Sequence, residues 1–294
     1  ARFAHGALHH RHENFSLPAA GDFFTPGGHR PGRPHDPGEV TETDRRTAIQ
    51  RTRTFQVSTN SIGLRGPEIA PTTDEFRILC IGDSITFGWG FEGEESFPAL
   101  LARELGVEVV NAGVPALKPH TFPGWLQMLK EQFEVDLVLV AARPEHARPD
   151  PFADYGRAMA ETARVAHPAP LGVLLPPLST FDVMGSQNRA TELEQVSIQV
   201  APIPVLDLTS AFRSAQTRGS GVILEQTASA QRVVRLPNRE TVLEAIAPPQ
   251  GLAPAITAMF EEDHSIAEPL FFDGGHPDLE GLQLFAEEVA DWVR

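Results

Sequence analysis

Two short stretches of this chain, 192 positions apart, carry side chains suited to covalent chemistry. Ile81-Gly82-Asp83-Ser84 closes an apolar run with a serine, and Phe271-Phe272-Asp273-Gly274-Gly275-His276-Pro277 stands just before the last amphipathic segment. A serine hydroxyl is a poor nucleophile until a base takes its proton and a third group orients that base. Ser84, His276 and Asp273 are the residue types this needs, with Asp273 spaced to hold the His276 imidazole in one tautomer. Neither motif is specific by its letters alone. Asp83 and Ser84 are also good helix caps, and His276 has the alternative of an ordinary surface loop. His264, His146 and His120 are rival bases; none has a carboxylate at such spacing on a loop before a helix, although Asp263 adjoins His264.

Position gives the two motifs their weight, because the segments between them alternate in type. Phe76 to Ile81 reads as a buried strand stopped by Gly82, Val107 to Val110 as a second and Leu137 to Ala142 as a third. Leu171 to Leu175 and Ile203 to Leu208 follow. Helical spacing runs through Phe97 to Leu105, around Trp125 to Leu129, from Phe152 to Val165, near Thr191 to Ser197 and from Leu279 to Val293. Strands alternating with helices predict an α/β domain with a mainly parallel sheet covered on both faces. In such a sheet ligands sit at the carboxyl ends of the strands, which is where Ser84 falls. The domain spans 76–294, with an insertion at about 213–268 that contains a strand-like Arg232 to Leu236 and a turn at Pro237-Asn238. A lead-in strand or hairpin occupies 54–75. Residues 1–53 read as an irregular arm rich in His, Pro and Gly, holding six of the eleven histidines (His5 to His35).

Composition removes several function classes. In 294 residues, 41% hydrophobic and 21% charged side chains describe a globular chain rather than a disordered one. A net charge of −15, from 39 acidic and 24 basic residues, argues against nucleic acid as a partner. The longest apolar runs are far shorter than the roughly 18 residues of a membrane span. Cys80 alone rules out an intrachain disulfide framework and a thiolate metal cluster, and its apolar setting suits a buried thiol. The arm's six histidines could bind a transition metal, but no carboxylate stands among them at helix-face ligand spacing and they read as a solvated tail; serine chemistry itself requires no metal or organic cofactor. Gly88-Trp89-Gly90-Phe91-Glu92-Gly93 matches the dinucleotide pattern in letters but begins six residues after Gly82 instead of directly after the strand. Asn14-Phe15-Ser16 is a glycosylation sequon in form.

Gly82-Asp83-Ser84, Thr86-Phe87-Gly88-Trp89-Gly90, Asn111-Ala112-Gly113 and Asp273-x-x-His276 together resemble the GDSL/SGNH hydrolase family over roughly residues 76–294. The upstream Asn60-Ser61-x-Gly63-x-Arg65-Gly66 is similar to the lead-in of bacterial members, many of them extracytoplasmic. The resemblance implies a flavodoxin-like three-layer α/β/α fold, Ser84 as nucleophile, His276 as base and Asp273 as its orienter. It also implies an oxyanion hole from the Ser84 and Gly113 backbone N–H groups, and deacylation of esters, often acetyl groups on carbohydrates. An O-acyltransferase using the same acyl-serine and a non-catalytic carbohydrate-binding protein are the alternatives. One departure stands out: counting from Asp136 puts Glu145 where the family has an Asn donor, and an ionised carboxylate cannot donate to an oxyanion. Arg143 is a candidate replacement; a loop ion pair is the other reading for Arg143 and Glu145.

Overall fold

The computed structural model describes residues 38–43, 52–145, 149–181, 192–226, 230–246, 255–256, 258–259, 262, 267–272 and 275–294. Its centre is a five-stranded parallel sheet in the order β4-β3-β5-β6-β7. The strands are β3 (Arg77–Gly82), β4 (Glu108–Gly113), β5 (Leu137–Ala141), β6 (Leu171–Leu175) and β7 (Val205–Asp207). All six residues of β3 and all five of β6 are buried, as strands covered on both sides must be. The chain steps from β3 to β4 on one side and then to β5 on the other, the flavodoxin-like arrangement. The resulting switch point opens at the carboxyl ends of β3 and β5.

Alternation along the strands divides the core into two layers. Leu79, Ile81, Val138, Val140 and Val173 pack with α3 (Phe122–Lys130), α4 (Pro151–Ala166) and α5 (Glu192–Val200). Ile78, Cys80, Leu139, Ala141 and Leu174 face α2 (Phe97–Leu105), α6 (Thr209–Gln216) and α7 (Leu279–Val293). Asp278 caps α7 by accepting the Gly281 N–H at 2.8 Å, and Phe285 stacks on Phe97 with ring centroids 4.3 Å apart. Burying one such ring stabilises by about 1.5–3 kcal/mol. The predicted alternation of elements and the three-layer α/β/α fold are what the chain forms.

Two segments add to this frame. The insertion carries an antiparallel sheet of β8 (Gly221–Gln226), β9 (Ala230–Leu236) and β10 (Glu240–Ile246), in the order β10-β9-β8, with Phe181, Val222, Leu224, Val233 and Ile256 as its own small core. Upstream, β1 (Gly38–Thr43) pairs antiparallel with β2 (Thr52–Val57). The irregular reading of 1–53 therefore does not hold at β1, which has a single apolar side chain, Val40, and no period-2 pattern to mark it as a strand. The histidine-rich stretch from His5 to His35 and the Asn14 sequon lie outside the described residues. No described helix is long and apolar enough to cross a membrane.

Candidate active site

β3 ends at Gly82 because nothing larger fits there. A Cβ would stand 2.1 Å from Thr86 Oγ1 and 2.5 Å from the Ala141 carbonyl oxygen. The chain therefore turns sharply into the single-turn helix α1 (Ser84–Phe87), with Asp83 as N-cap accepting the Ile85 N–H at 3.0 Å. Gly113, paired in register with Gly82, is confined in the same way: its Cβ would lie 2.2 Å from the Phe87 nitrogen. The two glycines let α1 sit directly on the ends of β3 and β4, which lifts Ser84 to the rim of the sheet.

Two residues hold the far side of this turn, and the sequence reading assigned a role to neither. Arg65 donates through Nη1 to the Phe87 and Gly88 carbonyls, at 2.9 and 2.8 Å, and through Nη2 to the carbonyls of Gln56 and Phe91. Its guanidinium lies 4.7 Å from the Phe87 ring centroid. Burial lowers its pKa to about 10, against the raising influence of Glu92, Glu94 and Glu95. Asn111 also reaches the Phe87 carbonyl, at 3.4 Å. The only signal available beforehand was a polar residue in each of two otherwise structural motifs.

His276, the candidate base, arrives from the opposite end of the chain. Phe271 and Pro277 form an isolated antiparallel bridge, and the Phe272 N–H donates to the His276 carbonyl at 2.9 Å. This small hairpin brings His276 Nε2 to 2.8 Å from Ser84 Oγ, the contact a base needs to take the hydroxyl proton. Asp273 lies outside the described residues, as do the rival histidines His146 and His264. His120 is half exposed, with Nδ1 3.3 Å from Glu145 Oε1. Burial raises the Asp83 carboxyl above the usual carboxylate range, opposed by its Ile85 hydrogen bond and by the nearby charges of His276 and Lys118.

Behind the hairpin a buried carboxylate ties three segments together. Glu268 accepts hydrogen bonds from the Ser179 hydroxyl, the Thr180 N–H at 2.7 Å and Gln216 Nε2 at 2.8 Å. Burial pushes its pKa up, while the Ser179 and Thr180 hydrogen bonds and the Arg213 charge pull it back.

Two expected oxyanion donors have other partners. The Gly113 N–H donates to Asn111 Oδ1 at 3.0 Å, because the Asn side chain folds back over its own strand end. Arg143 spends its guanidinium on the Pro176 carbonyl at 2.7 Å, Glu192 at 2.7 Å, Thr209 Oγ1 at 2.6 Å and Asp207 at 3.3 Å. It bridges the ends of β5, β6 and β7, since a long cation next to two carboxylates is drawn to them rather than to an open crevice. After Gly113 the chain makes a tight turn, with Leu117 N–H bonded to the Val114 carbonyl and exposed Ala116 at φ 64°. A non-glycine in that left-handed region carries strain of the kind that collects at working sites. The Gly88-to-Gly93 pattern serves turns: Gly88 and Gly90 take φ of 80° and 87°. Among the described residues no three His, Cys, Asp or Glu side chains gather as a metal site.

No protein-family model matches the chain, and no curated protein does. Solved structures do resemble it. A putative lipolytic protein of the G-D-S-L family from Desulfitobacterium hafniense DCB-2 is 17% identical, with a TM-score of 0.46 over 73% of this chain and 98% of its own. LAE5, an alpha/beta hydrolase enzyme from the metagenome of Lake Arreo, Spain, is 14% identical, with a TM-score of 0.44 over 74% and 94%. A two-domain esterase (CEX) active on acetylated mannans is 12% identical, with a TM-score of 0.43 over 74% of this chain and 48% of its own. At these identities and scores the likeness does not extend to chemistry, which rests on this chain's own site. What the chain is similar to are proteins described as GDSL-family and esterase, and its own topology is the flavodoxin-like α/β/α sheet predicted for it.

Proposed function

We propose that this protein is a serine hydrolase that cleaves an acyl ester, a short acyl group such as acetyl on a carbohydrate, through an acyl-serine intermediate. The observation that carries the reading is the 2.8 Å contact between His276 Nε2 and Ser84 Oγ at the carboxyl edge of the sheet. Ser84 Oγ attacks the ester carbonyl and passes its proton to His276 Nε2, which then protonates the departing alcohol. A water molecule, deprotonated by the same imidazole, attacks the acyl-serine and releases the acid and Ser84. Asp273, three residues before the base, is the orienting carboxylate in this reading. With the Gly113 N–H engaged by Asn111, the oxyanion donor in this reading is the Ser84 N–H. The acetyl-carbohydrate substrate rests on the family resemblance of the motifs.

The test is hydrolysis of p-nitrophenyl acetate by the full chain and by Ser84→Ala, with labelling of Ser84 by a fluorophosphonate read by mass spectrometry. Loss of about 10⁴-fold or more in the variant and a single adduct on Ser84 are expected. Equal rates in the two proteins exclude the acyl-serine route. Acyl transfer to an added sugar acceptor in place of acid release turns the assignment to the O-acyltransferase.

A further inference from the structure

The steps above leave unused a glutamate that is buried eight residues before His276. A buried carboxyl is costly unless hydrogen bonds satisfy it, and Glu268 is surrounded by donors fixed in other parts of the fold. The Ser179 hydroxyl and the Thr180 N–H, at 2.7 Å, come from the segment after β6; Gln216 Nε2, at 2.8 Å, and Arg213 Nη1, at 3.5 Å, come from α6. Those donors are themselves tied down: Arg213 Nη2 reaches the Leu178 carbonyl at 2.8 Å and Gln216 Nε2 the Pro269 carbonyl at 2.9 Å. The insertion joins at the same place. In β8 the Val222 N–H donates to the Ala267 carbonyl and the Leu224 N–H to Thr180 Oγ1, both at 2.9 Å.

Backbone contacts carry this fixed point to the imidazole. The Phe271 N–H donates to the Glu268 carbonyl at 3.3 Å, the Asp278 N–H to the Leu270 carbonyl at 3.0 Å and the Phe272 N–H to the His276 carbonyl at 2.9 Å. Buried Leu270, between Glu268 and the hairpin, takes a φ of 70°. A branched side chain adopts that conformation only where both flanks are held, and here one flank is the Phe271–Pro277 bridge and the other is Glu268. The Phe272 ring lies edge-on to Phe91, with centroids 6.1 Å apart, so the hairpin rests against the loop that follows the Ser84 turn. We propose that Glu268 is a positioning residue, whose buried hydrogen bonds fix the root of the hairpin and so set His276 Nε2 against Ser84 Oγ. What the placement accomplishes rests on the acyl-serine reading above, but the placement itself does not.

The placement is therefore read apart from catalysis, by the ring-nitrogen resonance of His276 Nε2 in the full chain with ¹⁵N-labelled histidine. His276→Ala assigns the resonance, and Ser84→Ala gives its position once the Ser84 contact is gone. Glu268→Ala is expected to move the resonance most of the way to the Ser84→Ala position. It is also expected to lower kcat for p-nitrophenyl acetate, per fluorophosphonate-labelled serine, about 10- to 100-fold with KM within about twofold. Glu268→Gln is expected to recover most of both, since its amide can accept from Thr180 and Gln216 and donate to the Ser179 hydroxyl. Thr180→Val exchanges one hydroxyl for a methyl on a half-buried residue, and is expected to change both readouts in the same direction by less, whether or not Glu268→Ala folds. Counting labelled serines separates positioning from a purely structural role, which lowers the number of working molecules and leaves kcat of each unchanged. An unmoved resonance, a wild-type kcat per labelled serine in the folded variants, or a Glu268→Gln protein as impaired as Glu268→Ala overturns the assignment. A wild-type chain that leaves the ester intact and Ser84 unlabelled fails as a hydrolase, and the resonance alone then decides whether Glu268 positions His276.

Discussion

Ser84 and His276 reach each other from regions built on opposite plans. Ser84 stands on a turn clamped from within 30 residues: Gly82 and Gly113 let α1 settle on the strand ends, and Arg65 binds the Phe87 and Gly88 carbonyls behind it. His276 hangs from a hairpin whose near end, at Glu268, is bonded to Ser179, Thr180 and Gln216, residues 52 to 89 positions earlier in the chain. Ser84 is thus placed by sterics that tolerate no added atom. His276 is placed by a polar knot whose strength varies with its charge. Damage to the first region removes the turn, whereas damage to the second loosens one partner of a pair.

The largest effect tests whether the two regions act as one unit. His276→Ala is expected to lower ester hydrolysis about as far as Ser84→Ala, by about 10⁴-fold or more, and the double variant about as far as either single one. Additive losses in steady-state kinetics break the pairing. Next comes the steric region: Gly82→Ala forces a Cβ onto Thr86 Oγ1 and the Ala141 carbonyl and is expected to destabilise by about 3 kcal/mol or more in urea unfolding. A variant of wild-type stability removes the argument that glycine is required there. Arg65→Met leaves buried carbonyls unpaired, for an expected loss of about 2–4 kcal/mol with kcat falling more than KM rises, since the turn under Ser84 is what loosens. An unchanged kcat in the folded variant confines Arg65 to stability.

The smallest effect concerns the polar knot and depends on pH. Burial raises the Glu268 pKa in the folded chain above its ordinary 4.5. As pH rises from that value, the unfolded chain releases the proton first, so the folded state holds more protons and stability falls with pH until the raised folded pKa is passed. Glu268→Gln lacks this titration. Its stability curve is therefore expected to lose that downward slope while the curve of Gly82→Ala keeps it. Parallel curves for wild type and Glu268→Gln show that burial does not hold this carboxyl above its ordinary range.

The difference between the regions also explains what was legible beforehand. The strands and helices of the central sheet were readable because their apolar periods are local, and Gly82-Asp83-Ser84 was readable as a strand end for the same reason. β1 is not legible because its six residues hold one apolar side chain, Val40, and no period of two; its pairing with β2 is what makes it a strand. The Gly113 N–H is an expected oxyanion donor only through the family resemblance, which says nothing of its neighbours' side chains. Only folded coordinates reveal that Asn111, two residues earlier, bends back to accept it. Arg143 is a candidate oxyanion donor because Glu145 stands where the family has an Asn; Glu192 and Asp207, which claim its guanidinium, lie 49 and 64 positions away in the chain.

By itself the amino-acid sequence determined the alternation of elements, the parallel sheet and the serine at its rim, since each depends on patterns within a few residues of one another. Tertiary structure alone decided that His276 meets Ser84, that Asn111 takes the Gly113 N–H and that Arg143 bridges strands. Those outcomes depend on distances between groups far apart along the chain, and a linear order of residues contains no such distances until the core has packed.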